Sequence, residues 1–333
     1  MKKGIGVGIE DFREVIREDC YYFDKTNYIE ELIKDKTKIK LFTRPRRFGK
    51  TLNMSTLKYF FDVKNAEENR KLFKDLYIEK SEYFKEQGQY PVIFITLKDL
   101  KKNTWKEMNF EIKELLRNLY DEFNFIRDTL SISDLREFDK IWLKEEDANY
   151  DSSLLNLTKY LYNYYKKEVV LLIDEYDSPL IMANQREYYK DSINFFRNFL
   201  SLALKTNSYL KMGVLTGIVQ VAKEGIFSGL NNVITYNILR NDFKTFFGLS
   251  EEEVEKALKY FELEYKIEEV KRWYDGYKFG NSEVYNPWSI INYLRTKELQ
   301  AYWVNTSDNA LIYDNLKNST VDVFNNLQTL FEG

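Results

Sequence analysis

"LFTRPRRFGKTLNMSTLKYFF" spans residues 41–61 and decides how the rest of the chain is read. It contains Gly49-Lys50-Thr51, the tail of a G-x-x-x-x-G-K-[ST] phosphate loop, behind the strand-like run "IKLFT" (39–43) and ahead of a helix reaching Tyr59 and Phe60. That order suits a phosphate. Backbone N–H groups at a helix N-terminus surround its oxygens, the lysine reaches the β- and γ-phosphates, and the hydroxyl ligates Mg²⁺. Where the pattern asks for its first glycine, the chain has Arg44. A side chain there forfeits easy access to positive φ, so the loop entrance must take another shape, stiffened by Pro45. In compensation, Arg44, Arg46 and Arg47 put three guanidinium groups within a few residues of a triphosphate, at least one of them expected to be solvated or paired elsewhere. The nucleotide-binding stretch is read as Arg44, Pro45, Arg46, Arg47, Phe48, Gly49, Lys50, Thr51 and Leu52.

A second element supports the first. "VVLLIDEYDSP" (169–179) is an apolar strand ending in Asp174-Glu175. An acid at such a strand end binds Mg²⁺ together with the loop hydroxyl, here Thr51, and a second acid beside it can polarise the attacking water. Either acid alone could belong to an ordinary acidic turn, but loop and acidic strand in one α/β chain point to a nucleotide. Thr216 closes a third strand, "LKMGVLTG" (210–217). It could touch the γ-phosphate or the water, or simply cap a strand.

Two further apolar runs, 92–97 and 233–238, complete a mainly parallel five-stranded sheet, buried on both faces and crossed over by helices. One helical face carries Trp105, Met108, Ile112, Leu115, Leu119 and Phe123; others carry Leu135, Phe138 and Trp142, then Leu154, Leu157, Leu161 and Tyr165. These make a helical insertion over about 99–166. Behind the acidic strand, Tyr189, Phe196, Phe199, Leu200 and Ala203 face one side. Residues 1–240 are read as the core and 241–333 as a mainly helical appendage. The appendage opens on a Ser250/Glu253 capping box and carries a small hairpin signalled by Asp275-Gly276 and Gly280-Asn281.

Composition narrows the chemistry. Histidine is absent, which excludes Ser-His and Cys-His nucleophile pairs and every His-bearing zinc site. The single cysteine, Cys20, allows no intrachain disulfide and is read as a core residue. Net charge is −3, with no global pull toward nucleic acid or anionic membranes. There is neither a signal-peptide core nor a run of 18 apolar residues, so a soluble cytoplasmic protein without membrane attachment is expected.

Taken in order, "GIEDFREVI…YYFDKTNYIEELI", "LFTRPRRFGKTLNMSTLKYFF", "VVLLIDEYDSPL", "FFRNFLSLALK", "VLTGIVQVAKEGIFSGLNN", "WYDGYKFG" and "YNPWSIINYL" resemble the AAA-ATPase-like family of bacterial and archaeal proteins, often fused to a C-terminal PD-(D/E)XK nuclease-like domain. The resemblance implies an α/β P-loop NTPase of the ASCE (AAA-like) type, its acidic strand flanked by the phosphate-loop and sensor strands. It implies ATP and Mg²⁺ as ligands, Lys50 and Thr51 at the phosphate and metal positions, Asp174 as metal acid, Glu175 as catalytic base and Thr216 as sensor. Arg44 matches the family's loop. Adenine contacts are implied near residues 5–25. Arg197 is a candidate trans-acting arginine, although a helix-surface ion pair explains it better. No nuclease constellation occurs before the sequence stops soon after "AYWVNTSDNALIY", so no nuclease activity is expected of it. The expectation is Mg²⁺-dependent ATP hydrolysis driving a conformational change. The alternatives are a slow nucleotide switch acting on a protein partner or by self-association, and, by resemblance only, a nucleic-acid-directed role.

Overall fold

The computed structural model describes residues 2–220 and 232–303. Its strands are β1 (Ile39–Thr43), β2 (Val92–Thr96), β3 (Val169–Asp174), β4 (Leu210–Gly217), β5 (Val233–Tyr236), β6 (Tyr277–Phe279) and β7 (Ser282–Val284). The helices are α1 (Phe12–Arg17), α2 (Asn27–Lys34), α3 (Lys50–Phe61), α4 (Ala66–Arg70), α5 (Trp105–Glu122), α6 (Ile132–Trp142), α7 (Ser153–Tyr165), α8 (Ser178–Gln185), α9 (Tyr189–Leu204), α10 (Glu251–Tyr260), α11 (Ile267–Tyr274) and α12 (Pro287–Thr296).

The first five strands form one sheet in the order β2-β3-β4-β1-β5, every pairing parallel. Alternate residues of each strand feed two separate cores. Ile39, Leu41, Val169, Leu171, Ile173 and Leu215 join the core beneath α5, α6, α7 and α9. Phe42, Val170, Leu172, Met212 and Val214 join the core on the α1–α3 side. This two-sided burial is why the strands read as continuous apolar runs instead of alternating ones. Between β2 and β3 the chain runs through α5–α7, which share the first core with the sheet.

Three expectations need correction. The acidic strand β3 does not adjoin the phosphate-loop strand β1, because the sensor strand β4 lies between them. Placing β4 there brings Thr216 against Asp174. On α5, Leu116 and Tyr120 face the core while Leu115 is only half-buried, and Phe123 lies just past the helix end. The last sheet strand stops at Tyr236 instead of 238, since Asn237 turns the chain: its side chain accepts the Leu239 N–H (3.0 Å) and its carbonyl the Arg240 N–H (3.3 Å).

The described part of the C-terminal region holds α10–α12 and the two-stranded hairpin. Ser250 and Glu253 form the capping box of α10, and β6 and β7 pair antiparallel in the hairpin. Its own core gathers Leu249, Val254, Leu258, Val270, Tyr285, Ile290 and Tyr293, with Ile5, Tyr21 and Phe23 of the N-terminal segment packed against it. Buried Lys25 ties the two ends by donating to the Thr245 carbonyl (2.7 Å) and the Glu253 carboxylate (2.5 Å). Cys20 is buried and unpaired. Residues 304–333 of the appendage and residues 221–231 of the "VAKEGIFSGLNN" stretch lie outside the described residues.

Candidate functional site

β1 delivers the loop and α3 receives it. Gly49 caps α3 with φ +74°, the left-handed conformation for which glycine is suited, and Lys50 and Thr51 are the helix's first two residues. The Lys50 ammonium donates back to the carbonyls of Arg44 (3.1 Å) and Pro45 (2.9 Å), closing the loop on itself. Burial pulls its pKa down, and the acids Glu175, Asp174 and Asp177 oppose that pull.

Asp174, fully buried at the end of β3, accepts hydrogen bonds on both carboxylate oxygens. Thr51 donates to Oδ2 (2.7 Å) and Thr216 donates to Oδ1. Burial raises the Asp174 pKa, while the Thr216 and Thr51 hydroxyls counteract the rise. Glu175 follows with φ +51°, an uncommon conformation for a side-chain-bearing residue. Its carboxylate accepts the Ser178 hydroxyl (2.9 Å), and its N–H donates weakly to Thr216 Oγ1 (3.4 Å). Gly217, next along β4, leaves room for this bend, since a Cβ there would fall 2.7 Å from Tyr176 Cε1 and 2.8 Å from Asp177 Oδ1.

These groups border a cavity of about 530 Å³ whose walls include Arg46, Arg47, Gly49, Lys50, Thr51, Leu52 and Glu175. Asp174 and Thr216 are not on the wall; they lie behind Thr51, linked to it by the Thr51–Asp174 and Thr216–Asp174 hydrogen bonds. The structure thus brings together Lys50, Thr51, Asp174, Glu175 and Thr216. Three loop residues depart from it. Pro45 is not on the wall. Phe48 is buried and packs edge-on against Tyr277 (4.9 Å) and against Phe279 (5.2 Å) of the hairpin. Arg44 is 0% exposed and turns away from the cavity. Its guanidinium donates to the carbonyls of Thr43 (2.9 Å), Tyr236 (2.5 Å) and Phe243 (3.3 Å) and lies 5.2 Å from the ring centres of both Phe247 and Phe279. Burial pulls its pKa down to about 10. The side chain that replaces the first glycine is therefore a strut beneath the loop, because β5 and the 243–247 segment offer it carbonyls and ring faces. Arg197 is half-buried on α9 and does not line the cavity.

Sequence reasoning missed several wall residues. Gly6, Gly8, Ile9 and Glu10 come from the N-terminal segment, within the range where adenine contacts were implied. Lys98 and Lys101 follow β2, and Trp288 stands at the start of α12 with the Arg47 guanidinium stacked 3.8 Å from its ring centre. Only the glycine-rich start carried a signal; the others are brought in by tertiary packing. Asp177 was passed over as well. It is fully buried and holds the chain beyond β4 by accepting the N–H groups of Ile218 and Val219, both at 2.8 Å.

A parallel five-stranded α/β sheet with this loop at one strand end defines a P-loop NTPase-like fold. The chain belongs to the AAA-ATPase-like family, whose model, described as a predicted AAA-ATPase, matches residues 6–227. Membership suggests nucleotide binding and hydrolysis. The chain is similar to an "Uncharacterized protein in vnfD 5'region" of Azotobacter chroococcum mcd 1, 25% identical over 315 residues, which are 94% of this chain and 56% of that protein. The chain thus spans just over half the length of that relative. No solved structure matches. Among the described residues no helix is long and apolar enough to cross a membrane.

Proposed function

We propose that the chain binds and hydrolyses ATP with Mg²⁺ and couples turnover to movement of its C-terminal region. The observation that carries this reading is the row Thr51–Asp174–Thr216, hydrogen-bonded across strands β3 and β4 beside Lys50 and Glu175. Two hydroxyls on one buried carboxylate make little sense as surface structure, but they suit a phosphate-and-metal site. Among the described residues no cluster of three or more acids or cysteines could hold a metal alone. An oxygen pair such as Thr51 Oγ1 and Asp174 Oδ2 fits Mg²⁺, which keeps most of its waters and takes one or two protein ligands beside substrate phosphates. Bound there, Mg²⁺ would neutralise phosphate charge.

In this reading Gly49 and the first turn of α3 present N–H groups to the phosphates, and Lys50 leaves the Arg44 and Pro45 carbonyls to meet the β- and γ-oxygens. Glu175 accepts a proton from water as the water oxygen bonds to the γ-phosphorus. The bond to the β–γ bridging oxygen breaks, and ADP and phosphate leave. Thr216 holds Asp174 and the Glu175 backbone in place. Residues 1–240 act as the binding core and 241–333 as the reporting region, in a cytoplasmic setting that a lone buried cysteine suits. One observation favours a second reading, a slow switch. Arg47 of the loop stacks on Trp288 of α12, so occupancy of the loop could be signalled to a partner or a second copy with little turnover.

The test compares ATP binding and steady-state hydrolysis in wild type, Lys50→Ala and Glu175→Gln. Loss of micromolar binding in the first and loss of turnover with retained binding in the second are expected. Retained affinity in Lys50→Ala would overturn the loop assignment, and unchanged hydrolysis in Glu175→Gln would remove that residue as the base. Binding without turnover in wild type would favour the switch.

A further inference from the structure

We infer that Lys98 is a second phosphate-directed cation of this site, paired with Glu10 and turned to the terminal phosphate when a triphosphate enters. The inference deepens the ATPase reading and rests on it. Lys98 reaches the cavity from the opposite side to Lys50. In the sheet, β2 lies beyond β3, whereas β1, which feeds the loop, lies on the far side of β4. Register places Thr96 beside Asp174, and the Leu97 N–H donates to the Asp174 carbonyl (2.9 Å). The Lys98 N–H is held on Thr96 Oγ1 (3.3 Å), so its side chain starts alongside the acidic strand's end. Lys98, Glu10, Glu175 and Lys50 all line the same cavity, and Lys98 and Glu175 interact electrostatically.

The Lys98 ammonium contacts Glu10 Oε2 at 2.7 Å, and the two side chains are 42% and 56% exposed. Ion pairs this open contribute little, because water competes for both charges. A terminal phosphate carrying close to two negative charges is a stronger partner for a lysine than one solvated carboxylate. The site also needs the cation. Asp174 and Glu175 already bring two acids against the incoming phosphates, while Arg44 is committed elsewhere and Arg47, on the wall, is stacked on Trp288. A cation on the γ-phosphate opposite the loop lysine is the position from which an arginine finger acts in related chemistry, with effects of about 10³–10⁵ on rate. Here β2 supplies that charge within the chain. Glu10 then acts as a placeholder, and the N-terminal segment bearing it is released when Lys98 changes partner.

The test titrates the full chain with ADP, with the imido analogue of ATP, and with ADP plus aluminium fluoride, each in the presence of Mg²⁺. Lys98→Met should leave the ADP affinity within about twofold of wild type and weaken the other two ligands at least about tenfold, with kcat falling on the order of 10²-fold. Lys98→Arg should restore a substantial part of the preference, and Glu10→Gln should strengthen the imido analogue relative to ADP several-fold. Equal weakening of all three ligands by Lys98→Met, or an unchanged triphosphate preference, would overturn the inference. So would loss of that preference in Lys101→Met instead. Those results would leave the ATPase reading standing as long as Lys50→Ala still abolishes binding. If wild type bound none of the ligands, both would fall together.

Discussion

Restoring the glycine that the loop pattern asks for should harm this protein. In Arg44→Gly, the carbonyls of Thr43, Tyr236 and Phe243 lose their guanidinium donor, and the ring faces of Phe247 and Phe279 lose their cation. A buried acceptor left unpaired costs about 1–3 kcal/mol. Counting Tyr236 and Phe243 alone gives about 2–6 kcal/mol, and the vacated volume adds to it. Against that, the variant no longer buries a cation without a carboxylate among these partners, a relief of several kcal/mol. We expect a net loss of about 2–4 kcal/mol, with Arg44→Met losing less because the aliphatic stem still fills the space. Urea unfolding midpoints, with the slope checked for constancy, give the stability; nucleotide titration at a denaturant-free temperature well below the transition gives the affinity. The reasoning holds if stability drops while the folded fraction of Arg44→Met binds ATP within a few-fold of wild type. Stability within about 0.5 kcal/mol of wild type, combined with a tenfold or greater loss of affinity, would show that the guanidinium serves the nucleotide and would refute the strut.

Asp62 provides a pH test. Burial raises its pKa to about 6, against the opposing effect of the Lys64 backbone N–H, so the folded chain holds the proton more tightly than the unfolded chain does. The sign follows: this group favours the folded state below the unfolded pKa near 4, and that contribution is lost as pH rises to about 6 and beyond. Asp62→Asn keeps the acceptor for Lys64 and should gain up to about 2 kcal/mol over wild type at pH 8 but almost nothing at pH 4, read by urea unfolding; an equal gain at both values would exclude the titration. At the cavity wall, Trp288→Ala removes the ring under Arg47. A stacked cation of this kind is worth about 0.5–2 kcal/mol, so nucleotide affinity should fall roughly 3- to 30-fold. Calorimetry showing no change would mean that α12 does not shape the bound state.

The two-sided burial of the sheet made its strands legible, because five apolar runs with helical stretches between them admit few architectures. Lys50, Thr51, Asp174 and Glu175 were legible for a related reason: local chain geometry, a helix start and a strand end, places them, and local geometry leaves a residue pattern. Thr216 was partly legible, as the last polar position of its strand. Lys98, Trp288 and Asp177 left no such pattern. Lys98 looks like any charged residue after a strand, and only the β2–β3 register sets it beside Asp174. Arg44 misled for an instructive reason. Its position in the chain is that of a phosphate-loop residue, but the direction of its side chain depends on carbonyls of residues 236 and 243, which are remote in sequence.

The direction of Arg44 bears on how the loop could do work. Arg44, Arg47 and Phe48 alternate in purpose along four or five residues, and each contacts the C-terminal third of the chain: Arg44 the 243–247 segment and Phe279, Arg47 the Trp288 ring, Phe48 the hairpin rings of Tyr277 and Phe279. A loop with glycine at its entrance could reshape around a phosphate at little cost to its surroundings. This one could not, because a shift of its backbone drags a buried guanidinium and a buried ring through a close-packed interface with few alternative arrangements. Free energy gained at the phosphates would then be partly expressed as displacement of the hairpin and α12. By linkage, any partner that holds that region in one position must change nucleotide affinity by the same factor that nucleotide changes its own. Arg44→Met should weaken this reciprocity while sparing binding. A covalent tether between the hairpin and the core should alter nucleotide affinity in wild type and do so far less in the variant; equal effects in both would mean that the coupling runs through Arg47 and Trp288 instead.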